Sequence, residues 1–201
     1  MRYYNISFYT LKVGNMVLND ATIENMLYQL FDFNKSSTTV SAVKEQINPN
    51  SVDLTLDRDV MRINGYYTVM YGEDNSNCWK YKYETGDNLL IKPNECILCC
   101  TREYIVMPPN LCGQVFTKST FGRMFVNHMM AGVVDAGFEG RLTLEFKNDS
   151  QNDIIIPFGS RVVQLVYMQL CEKAREPYNM RKNRYNKAEQ CEAAKSDAIY
   201  G

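Results

Sequence analysis

Apolar and polar residues alternate over much of the chain. Val52, Leu54 and Leu56 alternate with Asp53, Thr55 and Asp57, the two-residue period of a strand. Tyr66 to Tyr71 is rich in aromatic and β-branched residues, which favour the same state. Short runs at Leu89 to Ile91, Glu95 to Cys100, Glu103 to Val106, Gly113 to Thr117, Leu142 to Lys147, Ile154 to Pro157 and Val162 to Met168 lie between Pro, Asn and Gly punctuation. Many short strands with frequent turns predict a mainly β fold, an antiparallel barrel or sandwich. One stretch keeps a different period. After Asn19-Asp20, a cap signal, Ile23, Met26, Leu27, Leu30 and Phe31 recur at helical spacing and predict an amphipathic helix packed on the sheet.

The ends differ from the middle. The first fourteen residues alternate weakly (Ile6, Phe8, Thr10, Leu11, Val13) and predict an edge strand in an N-terminal extension, 1–15. Asn34 to Thr39 is a polar loop. From Cys171 to Gly201 the chain is polar, charged and poor in large aliphatics, so 171–201 reads as a flexible tail or lid. Tyr178, Tyr185 and Tyr200 suggest that part of it folds onto something. No repeat or linker divides residues 1–201, which read as one domain.

Composition narrows the function. A net charge of -1 gives no overall basic field for nucleic acid. No apolar run is long enough to cross a bilayer, and the N-terminus lacks the apolar segment of a signal peptide. Seven cysteines, an odd number, suggest reduced thiols and a cytoplasmic location. Cys96 and Cys99 form a CxxC, but on a strand residues three apart face opposite ways, so buried structural thiols are expected rather than a metal site. The one histidine, His128, is not followed by Glu two residues on, so the zinc deaminase signature is missing. A packed core histidine is the expectation.

Candidate chemistry concentrates between Lys118 and Asn148. Ser119 and Thr120 follow a strand and precede a short helical segment, which they could cap; free N–H groups there can also hold phosphate oxygens. Lys118 and Arg123 add positive charge, and a guanidinium can make forked contacts. Locally these read equally as a capped surface turn. Asp135-Ala136-Gly137-Phe138-Glu139-Gly140 is a turn whose glycines permit positive φ, and Asp135 orients water or bonds the turn. Glu145 alternates with Leu144 and Phe146, so it lies on a solvated face or serves as a general base in a pocket between subunits.

These pieces, in this order, resemble the dCTP deaminases of the trimeric dUTPase superfamily, from about Met16 to the tail. Asn48-Pro49-Asn50-Ser51-Val52-Asp53-Leu54 is similar to the early strand motif. Leu90-Ile91-Lys92-Pro93-Asn94-Glu95 is similar to "L-x-P-G-E", with Asn94 for Gly, and Glu103 to Leu111 continues the match. Lys118-Ser119-Thr120-Phe121-Gly122-Arg123 resembles "R-S-S-L-A-R". Ala131 to Gly140 and Leu144 to Asn148 resemble the catalytic core, and Phe158 to Leu165 resembles "P-G-x-x-I-x-Q-L".

The resemblance implies a distorted dUTPase-like β barrel assembled as a homotrimer, with sites shared between subunits. It implies zinc-independent hydrolysis of dCTP to dUTP and ammonia, with magnesium accompanying the triphosphate. Glu145 matches the general acid/base, and Ser119 and Arg123 match residues that position water and stabilise the forming centre. Ala131 matches the backbone contact to the base. Lys118, Ser119, Thr120 and Gln164 match the phosphate region. Tyr178, Arg184 and Gln190 match residues of the closing tail, where the correspondence is weakest. Asp135 fits the dUTPase residue that orients water against the α-phosphate, so dUTP diphosphatase or bifunctional activity stays open. So does a non-catalytic, nucleotide-binding regulatory trimer.

Overall fold

The computed structural model describes residues 17–63, 65–69, 73–128, 131–181 and 184–195. The expected N-terminal edge strand, Met70, Tyr71 and Tyr200 lie outside them. The helical stretch forms two short helices, α1 (Asp20–Asn25) and α2 (Leu27–Leu30), broken at Met26. Asn19 caps α1 as predicted, its side chain accepting from the Thr22 N–H at 3.0 Å. A further helix, α3 (Val40–Glu45), follows the polar loop, capped by Thr39. With Val43 alone buried, α3 carries too little apolar periodicity to be read from the sequence.

Eleven strands are described: β1 (Ile47–Asn48), β2 (Ser51–Ile63), β3 (Trp79–Tyr83), β4 (Asn88–Ile91), β5 (Cys96–Val106), β6 (Leu111–Thr117), β7 (Val126–His128), β8 (Val133–Val134), β9 (Glu139–Asn148), β10 (Ile154–Pro157) and β11 (Arg161–Gln169). A fourth helix, α4 (Ser119–Arg123), separates β6 from β7. The main sheet runs β7-β9-β5-β2-β11-β6-β8, every pairing antiparallel, and curls into a half-barrel. β4 and β10 pair separately. Leu89, Ile91, Ile154 and Ile156 from that pair join the same core as Leu54, Leu144 and Phe146 of the main sheet. The fold is therefore mainly β, as expected, with the antiparallel sheet curled into a half-barrel.

Two runs read as separate strands, at Glu95 to Cys100 and Glu103 to Val106, are one strand, β5. Its register against β9 shifts between Cys100 and Tyr104, and the irregularity lets a single strand bend around the barrel. Residues 66–69 are irregular rather than strand, and Tyr66 is 98% exposed. Without a partner strand or a core to face, β-branched and aromatic content does not make a strand.

β2 is the hub, pairing with β1, β3, β5 and β11. Its carboxylates and Thr55 are buried like most of its apolar residues, and each of them has a partner. Asp53 binds the ammonium of Lys118 and accepts from Asn48 at 2.9 Å. Thr55 donates to Glu103 through its N–H at 2.9 Å and its hydroxyl at 2.7 Å. Asp57 pairs with Arg141 at 2.6 Å. Asp59 accepts from the hydroxyl of Tyr81 at 2.5 Å. Buried charge is tolerated only with such partners.

The C-terminal segment packs on the barrel. Lys187 N–H donates to Glu139 O at 2.6 Å, and Arg141 N–H donates to Ala188 O at 2.8 Å, adding a bridge beside β9. Ala188, Cys191 and Ala193 are buried. The flexible tail expected from composition is thus a docked segment in its described part. Two glycines admit it. Gly137 (φ 84°) would place a Cβ 2.5 Å from Pro177 Cβ, and Gly140 (φ 148°) would place one 3.1 Å from the Ala188 nitrogen. Gly137→Ala is expected to cost about 1–3 kcal/mol and to loosen the tail. Thermal melting should report the loss, and proteolysis should cut residues 171–195 faster than in the parent.

Candidate active site

Tail docking forms a partly open cavity of about 500 Å³ over β9. Leu142, Thr143 and Glu145 line it from β9, Leu98 from β5, and Ala131 and Asp135 from the segment leading into β9. Tyr178, Tyr185 and Glu192 close it from the tail. The register explains why Glu145 points in. Leu98 is its partner on β5, and the flanking Leu144 and Phe146 are buried in the core on the opposite face. Burying each of those two side chains contributes about 1.5–3 kcal/mol, which fixes the face on which Glu145 stands.

Glu145 is half-buried, and burial pushes its carboxyl up to about 7; its own backbone N–H opposes this weakly. One carboxylate oxygen, Oε2, is shielded and makes no hydrogen bond. His128 Nδ1 lies 3.9 Å from it. A carboxyl poised near neutrality can both take and return a proton, the requirement for general acid/base work at neutral pH.

Residues singled out by sequence fall into two groups. Ala131, Asp135, Glu145 and Tyr178 share the cavity. Tyr178 is held there by its N–H to Ala136 O at 2.7 Å and by its ring against Phe138, centroids 5.9 Å apart. Lys118, Ser119, Thr120, Arg123 and Gln164 form a second locus. Gln164 on β11 is registered against Asp53, which holds Lys118 at the entrance to α4. Ser119, Thr120 and Arg123 are exposed on that helix and do not line the cavity of their own chain. Neither Ser119 nor Thr120 caps α4, as the sequence suggested; they are its first two helical residues, behind Lys118. Arg184 and Gln190 are exposed on the tail outside the cavity lining, Arg184 donating to Lys195 O at 3.0 Å.

Several cavity residues were not legible in the sequence. Arg141 lines the wall and is held by Asp57 at 2.6 Å and by Ser37 Oγ at 2.5 Å. Glu192 is fixed by its N–H to Thr143 Oγ1 at 3.1 Å, and Trp79 faces it from β3. All come together through long-range packing, and no local motif marks them. The described cysteines are free thiols, and the described residues contain no cluster of three metal-ligating side chains. No helix among them is long and apolar enough to cross a membrane.

Known proteins resemble this chain in sequence and in fold. The profile of the dCTP deaminase-like family matches residues 17–170. A dUMP-forming dCTP deaminase of Persephonella marina is 36% identical over 81% of this chain and 89% of its own. A dCTP deaminase of Halorubrum lacusprofundi is 31% identical over 82% and 83% of the two chains. In fold, the 2'-deoxycytidine 5'-triphosphate deaminase of Agrobacterium tumefaciens superposes with a TM-score of 0.61 at 19% identity, covering 76% of this chain. This chain spans about half of that one, 48%. The chain belongs to the dCTP deaminase-like family.

The raised carboxyl has a consequence for stability. Because the folded value, about 7, lies above the ordinary 4.5, the unfolded chain loses this proton first as pH rises. The contribution of Glu145 is therefore fully present below about pH 4.5 and lost as pH climbs through 7. Melting temperatures of the parent and Glu145→Gln, compared from pH 5 to 8, should diverge in that sense, the parent losing ground as pH rises.

Proposed function

We propose that this protein hydrolyses the 4-amino group of dCTP, releasing ammonia, with Glu145 as the proton carrier. The observation that carries the reading is a half-buried carboxyl pushed up to about 7 on the wall of a nucleotide-sized cavity. In ionised form Glu145 takes a proton from the attacking water. It then returns protons to the ring nitrogen and to the departing amine. Ser119 and Arg123 position the water and stabilise the tetrahedral centre, and the backbone at Ala131 reads the base. Lys118, Thr120 and Gln164 hold phosphate oxygens, and magnesium arrives with the triphosphate as part of the substrate. Tyr178, Arg184 and Gln190 belong to the tail that closes over the nucleotide.

The two-locus arrangement favours a homotrimer. Glu145 stands in one cavity while Ser119 and Arg123 project from another part of the same chain. A neighbouring subunit supplying its α4 would complete each site. Reduced thiols fit a cytoplasmic enzyme. A second hydrolytic step is favoured by Asp135, which lines the same cavity as Glu145. With water directed at the α-phosphate, dUTP would leave as dUMP and diphosphate, the product named for the Persephonella relative.

Incubation with dCTP and magnesium is expected to yield ammonia and dUMP, resolved by chromatography; dUTP as the end product would remove the second step alone. Glu145→Gln should lose deamination by about 10²–10⁴-fold and still bind nucleotide. Fluorescence of Trp79, the chain's one tryptophan and a cavity residue, reports that binding. Mixed oligomers of Glu145→Gln and Arg123→Ala subunits should regain activity that neither variant has alone. No recovery would count against shared sites.

A further inference from the structure

His128 is the last residue of β7, whose pairing with β9 sets it against Phe146, one position beyond Glu145. Its side chain is 4% exposed, its ring is edge-on to Phe146 at 6.2 Å, and neither ring nitrogen makes a hydrogen bond. The backbone carbonyl of Glu145 favours the charged ring slightly, without hydrogen-bonding geometry. Glu145 Oε2 is equally shielded and equally without a partner, 3.9 Å from Nδ1. Buried donors and acceptors left unpaired are rare and cost about 1–3 kcal/mol each. Two that face each other across less than 4 Å are explained by a bond that closes when the cavity fills. A movement of about 1 Å suffices, and catalytic hydrogen bonds commonly tighten only with substrate present.

We propose that His128 is a positioning residue for Glu145: its Nδ1–H grips Oε2, fixes the carboxylate plane, and leaves Oε1 to exchange protons with water and the pyrimidine. The surroundings support a neutral donor. Burial pushes the imidazole down and so keeps it uncharged near neutrality. Other ionisable groups stand around Glu145 on β5, on β9 and on the tail, where Tyr178 and Tyr185 also line the cavity. The Cys99 thiol on β5 is pushed well up by burial and stays protonated. Arg141 on β9 is held by Asp57, and Lys147 on β9 by Asp149. Glu192 of the tail is paired through Oε1 with Lys195 at 2.7 Å, while its Oε2 is shielded and makes no hydrogen bond. Asp135 lines the cavity from the turn before β9. A neutral N–H on Oε2 favours the ionised carboxyl, opposing the desolvation that raises it.

The inference rests on the deaminase reading for its kinetic arm only. As the chain's one histidine, His128 gives a single imidazole signal in nitrogen-edited NMR of the full protein. That signal should report the Nδ1–H tautomer and inflect near pH 7 with Glu145, and the inflection should vanish in Glu145→Gln. A flat profile through pH 7, or an inflection that survives Glu145→Gln, overturns the proposal. In kinetics, His128→Leu keeps the apolar packing and removes the donor. It should lower kcat at unchanged KM and move the acid limb of kcat/KM up by about one pH unit. His128→Asn, which restores a donor, should bring the limb back. Equal losses in both variants with an unmoved limb would mean packing alone. If the parent deaminates nothing, the deaminase reading falls and the NMR arm still decides the histidine.

Discussion

The site depends on the backbone pairing of the C-terminal segment with β9. Glu139 and Arg141 exchange main-chain bonds with Lys187 and Ala188, and Thr143 receives the N–H of Glu192. The tail is thereby laid along the strand that carries Glu145, and the gap between them forms a partly open cavity. The tail and the sheet together shield part of the Glu145 carboxylate from water. Desolvation is the leading cause of its rise to about 7.

The docking rests in turn on β2. That strand carries Asp57 and Asp59, whose carboxylates hold Arg141 in place at 2.6 and 3.6 Å. The Asp59 carbonyl accepts from the thiol of Cys191 in the tail at 2.8 Å. Farther along, Asp53 steadies Lys118 where α4 begins. One strand therefore braces both loci of the proposed site, the cavity and the start of α4. Each buried carboxylate costs desolvation, which its partners offset only at close range. The network consequently tolerates little change in the position of β2.

Much of this fold was legible in the sequence, for identifiable reasons. The strands around Val52, Leu144 and Val163 announced themselves because one face of each is packed in a dry core and selection of apolar side chains follows a period of two. The left-handed turn at Asn94 (φ 60°) was marked by a residue type that tolerates it in place of glycine. The separate turn residues at 137 and 140 were marked by glycine. Short elements such as β7 and β8 were not legible. Two or three residues carry no period, and their pairing is decided by neighbours far away in the chain.

The candidate site divides in the same way. Sequence alone singled out Glu145, Ala131, Asp135 and Tyr178 as candidates through the order and spacing of short motifs, and the folded chain sets them on one cavity. Tertiary structure decided which of the singled-out residues share one cavity and which stand apart on α4, since strand register and tail docking are long-range. It also set His128, buried against Phe146 as expected, beside an unpaired carboxylate oxygen. Local sequence fixes what a side chain can do, whereas its protonation and partners follow from how much water the folded chain leaves around it.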